Sequence, residues 1–320
     1  MHHSPSFRLV PLSLCLLALA PEVSAVVFNF DYQLDSTGFF TAPRRAALEA
    51  AALTLTVRLT DTLAAIPAAP ANDSWYGLFT HPSLPNDPTW ALVNEPIPAN
   101  EIIVFMGAKN LGGSTLAFSS SGLTFNGTVP DLAWRESVVQ RGQVGATQSA
   151  ATSTDFGPWG GSISFNSGFN WFFDTTLATE NDIPGGAADF YSVAVHELGH
   201  LLGIGLAPSW QRQISGNTFV GPASKAANGG NPVPLTTEKA HWGDGVKSVR
   251  PGTLIQQDAA MDPTISLGQR KYFTDLDYAG LKDIGWQVVA VPEPAALGTL
   301  TGLLLVGWAM KRQAPAAPRA

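Results

Sequence analysis

The chain has 320 residues, 45% hydrophobic and 13% charged, with a formal net charge of −7 and a single cysteine. Such a chain can bury a sizeable core, as one large domain or two small ones. The acidic balance, with no basic run outside the C-terminal end, argues against a nucleic-acid partner, and one cysteine excludes a disulfide scaffold.

Residues 1–25 read as a secretory signal peptide: Arg8 in a short polar start, an apolar run from Leu9 to Ala20, and Val23-Ser24-Ala25 as a small-x-small cleavage site. Cys15 lies inside it, so the exported chain from about Val26 onward carries no thiol that could mask a metal. Val26 to Tyr32 alternates as a strand does. Pro43 opens a helical pattern through Ala65, with Ala46, Ala50, Leu53, Val57 and Ala64 on one face, and Pro67 to Pro70 stops it. Residues 71–100, rich in Pro, Asn and Asp, read as loop. Ile102-Ile103-Val104-Phe105 within Glu101 to Gly107 gives a strand, Thr115 to Phe118 a short apolar run, and 131–141 a short helix around Trp134. Gly161 to Asp174 reads as strand and turn, its Trp171, Phe172 and Phe173 fitting a core best.

The next segment carries chemistry. Asp189 is a candidate N-cap, Ser192, Val193, Val195, Leu198, Leu201 and Leu202 supply an apolar helical background, and Gly203 suits the position after the helix end. Within it stands His196-Glu197-Leu198-Gly199-His200. Residues four apart on a helix share a face, so the two imidazoles can share one ion, with Glu197 beside them. The plain alternative is a solvated or core helix that happens to carry two histidines.

This segment resembles the metzincin family of zinc metalloproteases, whose pattern is H-E-x-x-H-x-x-G-x-x-H. Gly203 matches. The third histidine would fall at residue 206, which is Leu206. His241 is the one histidine beyond position 200, and between it and Gly203 runs a Gly-, Pro- and Asn-rich segment that reads as a surface excursion. The leishmanolysin-like branch carries such an insertion, and the resemblance makes His241 the third ligand. Glu238, as in thermolysin-like gluzincins, and Asp244, as in aspzincins, are the rival ligands. Met261, in Ala260-Met261-Asp262-Pro263, resembles the Met-turn beneath the zinc, although one methionine can equally fill a gap in a core. Thr274, with Asp277 in the capping-box position and Gly285 as stop, opens a last helix with Leu276, Leu281 and Ile284 as its apolar stripe.

The resemblance implies an α+β zincin domain over residues 26–289. A twisted mixed sheet would pack on two long helices, and the strand in Gly161 to Asp174 would be the edge that pairs with substrate. An irregular C-terminal part would hold the Met-turn and final helix. It implies Zn²⁺ held by His196, His200 and His241, Glu197 as general base, and hydrolysis of a protein or peptide substrate whose next side chain lies against Pro263 to Gly268. Val291-Pro292-Glu293-Pro294, the apolar run 295–310 and Lys311-Arg312 resemble a PEP-CTERM sorting signal, which implies exosortase-like sorting machinery, a transient membrane anchor and the surface of a Gram-negative bacterium. An ordinary C-terminal anchor would also place the domain outside the cytoplasm. The alternative to a protease is a zinc-binding surface or biofilm-matrix protein that cuts nothing.

Overall fold

A computed structural model describes residues 26–121, 125–126, 130–174, 179–180 and 182–290. The signal peptide at 1–25 and the sorting signal and membrane segment beyond Ala290 lie outside the described residues. Among the described residues no helix is long and apolar enough to cross a membrane.

The arrangement is α+β, with a four-stranded mixed sheet and six helices among the described residues. The sheet runs Val27–Asp31, Glu101–Lys109, Gly160–Asn166, Ala117–Ser121, the first three parallel and the last antiparallel. Glu101–Lys109 is buried on both faces because its alternating residues serve two cores. Ile102, Val104, Met106 and Ala108 face the main core, while Phe105, with Ile103 packed alongside, belongs to a second cluster with Trp75, Phe79, Trp134 and Trp159. The side chain of Arg141 is fully buried and ties this second layer to the sheet by donating to the carbonyls of Ala64, Pro98, Glu101 and Pro158 at 2.6–3.0 Å.

On the main-core face lie the first helix, Ala42–Thr56, and the central helix, Phe190–Leu201, packed on each other. The first helix is shorter than its sequence pattern, and its phase is different. It buries Ala47, Leu48, Ala51, Ala52 and Leu55, while Leu53 and Val57 are 59% and 50% exposed. Alanine and leucine occur all round this helix, so burial chose the face where periodicity could not.

Two further expectations are corrected. The stretch 71–100 is not all loop: Tyr76–Thr80 and Thr89–Val93 pair as an antiparallel hairpin, its register held across a proline-rich turn. Gly160–Asn166 is not the sheet edge, because Ala117–Ser121 adds outside it with Ala117 opposite Phe165 and Ser121 opposite Gly161. Trp171 and Phe173 pack against the ring of Phe190 at 5.9 and 4.7 Å, so they belong to the core.

The excursion after Gly203 is also more than surface. It forms helices Pro208–Arg212 and Pro222–Ala227 and a small three-stranded sheet. Trp210 stacks on Phe219 at 4.2 Å and packs at a tilt against Trp242 at 4.9 Å, all three fully buried. Asp283 of the last helix, Asp275–Asp283, accepts from Ala223 N and Ser224 N and docks the excursion.

Candidate metal centre

The central helix begins at Asp189, whose carboxylate accepts from the N–H of Ser192 at 3.2 Å and from its hydroxyl at 2.6 Å. The buried Arg270 clamps the same carboxylate with two bonds of 2.8 and 3.0 Å and reaches Asp174 at 3.0 Å. The helix ends in a Schellman motif. Gly203, at φ +104°, donates to His200 O, and Ile204 donates to Gly199 O at 3.1 Å. That turn brings the Ile204 carbonyl back against the helix, where it meets His200 Nδ1 at 2.8 Å.

His196 is held in the same way from another direction, its Nδ1 lying 2.7 Å from Ala260 O. The third imidazole arrives on a tight hairpin. Leu235 and Trp242 bridge, Thr236 N donates to His241 O at 3.1 Å, and Lys239 takes φ +63° at the turn. Trp210 Nε1 donates to Lys239 O at 2.9 Å and fixes the loop to the excursion. His241 Nδ1 lies 3.0 Å from Glu238 Oε1.

A carbonyl or carboxylate oxygen only accepts, so all three rings carry their proton on Nδ1 and turn the Nε2 lone pair the other way. Those Nε2 atoms converge. His200 Nε2 lies 3.2 Å from that of His196 and 3.1 Å from that of His241, and the three residues are close enough to hold one metal ion. Three lone pairs at that spacing have no proton to share and repel unless a cation lies between them. Burial, with neighbouring imidazoles adding to it, pulls His196 down to about 4 and His200 well below its ordinary value, so both helix imidazoles favour the neutral form.

Glu197 lines the same cleft, of about 490 Å³. Burial pushes its carboxyl up to about 7, held back by the hydroxyl and N–H of Ser119, which both donate to it. Ser119 lies on the edge strand, so the sheet edge and the helix carboxylate meet in one cleft. Val193, Pro263, Thr264, Ile265 and Lys271 also line it. Lys271 Nζ donates to Asp262 Oδ1 at 3.0 Å and to Thr264 O at 2.5 Å.

Met261 is buried against the helix from below. A Cβ at Gly199 would lie 2.5 Å from Met261 Sδ, so the glycine between the two histidines is what lets the thioether approach. Behind it the carboxylate of Asp277 accepts five hydrogen bonds, from Thr274 N and Oγ1, Ala260 N, Met261 N and Trp242 Nε1, at 2.7–3.1 Å. One buried side chain thereby sets the carbonyl behind His196, the methionine and the residue next to His241. The capping-box spacing marked Asp277 as a helix opener only. Nothing local in the sequence couples it to residues 242 and 260. Arg270 and Ser119 likewise carry no local sequence signal, because both act across strand and loop pairings far apart in sequence.

The two rival ligands stand elsewhere. Glu238 lies on the Nδ1 side of His241, away from the converging nitrogens, and Asp244 accepts from Thr264 Oγ1 at 3.0 Å. Compared with protein-family models, curated proteins and solved structures, the chain matches none.

Proposed function

We propose that this chain is a zinc-dependent endopeptidase of metzincin type, its α+β body a zincin fold. The observation that carries the reading is the set of three Nε2 lone pairs aimed at one point, each fixed from behind, with Glu197 and an open sheet edge in the same cleft. The donor set suits zinc. Tetrahedral sites with Zn–N of about 2.0–2.1 Å hold their nitrogens about 3.3 Å apart, close to the 3.1 and 3.2 Å found here. A zinc ion bound there would supply a Lewis acid that polarises a carbonyl and acidifies a water.

The rest of the chemistry belongs to the chain. Glu197, its proton affinity raised by burial, takes a proton from the attacking water and passes it to the leaving amine. The outer edge of Ala117–Ser121 can pair with an extended backbone, which favours a protein or peptide substrate over a small molecule. Val193, Pro263, Thr264 and Ile265 bound the space for the side chain after the scissile bond. Residues 1–25 and 291–320 support export and C-terminal sorting by exosortase-like machinery, with the enzyme at the surface of a Gram-negative cell.

The test is caseinolysis by the purified protein with and without chelator, against Glu197→Gln. Loss of the general base is expected to cut hydrolysis by about 10²–10⁴-fold with zinc content unchanged. Zinc uptake by the wild type without cleavage of any protein would contradict the reading and favour a non-proteolytic surface protein.

A further inference from the structure

The three histidines are braced by unlike acceptors. His196 and His200 lean on the main-chain carbonyls of Ala260 and Ile204, whereas His241 leans on a side chain, Glu238 Oε1. A carbonyl fixes a ring and its tautomer. A carboxylate does that and also withdraws the Nδ1 proton toward itself, which makes the far nitrogen a stronger donor to a cation.

We propose that Glu238 is the positioning residue of the third ligand, a carboxylate behind His241 that orients the ring and strengthens its Nε2 toward a divalent metal. The proposal rests on the metal reading above. The hairpin builds this pair deliberately. Glu238 and His241 stand three residues apart across the turn, whose closure by Thr236 N to His241 O and whose anchor from Trp210 to Lys239 O hold their spacing. The Glu238 side chain is 55% exposed, and an ion pair so open to water contributes little to folding. Its effect therefore falls on the ligand. Of the three imidazoles, the one delivered by a hairpin rather than by the helix is the one whose brace carries a formal charge.

The experiment measures zinc affinity by competition with a chromogenic chelator, on full-length Glu197→Gln protein so that self-cleavage does not intervene. Glu238→Ala is expected to weaken zinc about 10–100-fold, with Glu238→Gln, which keeps an acceptor but not the charge, falling between it and the parent. Thermal melting of both variants without metal is expected to match the parent. Zinc affinity of Glu238→Ala within twofold of the parent overturns the proposal, and so does a metal-free melting temperature that falls in step with the affinity, since that would be a merely structural role. A parent protein that takes up no zinc overturns the metal reading itself, which separates the two failures.

Discussion

Two of the histidines stand on a helix and the third on a hairpin, and the two platforms depend on different physics. The helix needs only its own periodicity to align His196 with His200, and its apolar sequence keeps nearly every residue of Phe190–Leu201 buried. The hairpin reaches the same point only because 37 residues after Gly203 fold around Trp210, Phe219 and Trp242. A local rule thus supplies two ligands, and tertiary packing supplies the third. The difference teaches where the centre is vulnerable: the helix pair through titration and packing, the hairpin through whatever holds it from behind.

The largest expected effect comes from the residue that serves both platforms. Asp277→Ala leaves Trp242 Nε1 and the N–H groups of Ala260 and Met261 buried without their acceptor. Chemical denaturation of the metal-free protein should register a loss on the order of 3–5 kcal/mol. A loss under about 1 kcal/mol would mean that helix and hairpin are braced independently.

A smaller effect isolates the helix. Burial, followed by the neighbouring His241, holds the folded-state value of His196 at about 4, below its ordinary 6.5. The unfolded chain therefore binds more protons between those values. Stability of the metal-free protein is fully present above pH 6.5 and is lost as pH falls toward 4, by on the order of 3 kcal/mol, with His200 shifted in the same direction. Urea midpoints measured across that window, with and without His196→Phe, check it. A wild-type midpoint that does not fall on acidification would contradict the neutral imidazole of His196.

The smallest change touches the contact beneath the helix. Gly199→Ala should gain about 1 kcal/mol of helix propensity but meet Met261 Sδ at 2.5 Å, at an overpacking cost of about 1–3 kcal/mol. A net drop in melting temperature is expected, relieved in part by Met261→Ala in the same chain. A rise would show that the thioether has room to move.

What could be read in the sequence follows the same division. The spacing of His196, Glu197 and His200, the cap at Asp189, the stop at Gly203 and the capping box at Thr274 are local, and each has its structural counterpart. His241 and Met261 were singled out by scarcity and by family resemblance, and the structure brings both to the helix. The phase of the first helix is hard to read because alanine and leucine occur on every side of it, leaving only the narrow polar strip of Arg45 and Glu49 as a guide. The hairpin in 71–100 was hidden by its prolines and asparagines, and the true sheet edge depends on the pairing of Ala117–Ser121 with a strand some forty residues later, which no local pattern encodes. In the sequence Glu238 stands as a rival ligand, since a carboxylate near a histidine can coordinate or brace with equal ease until the ring's orientation is known.

X-ray absorption at the zinc edge of the wild-type protein tests the central claim most directly. Three imidazole nitrogens and one oxygen ligand at about 2.0–2.1 Å are predicted, with His241→Ala dropping the imidazole count to two. A zinc shell with two imidazoles and carboxylate oxygens in the wild type, unchanged in His241→Ala, would contradict the three-histidine centre.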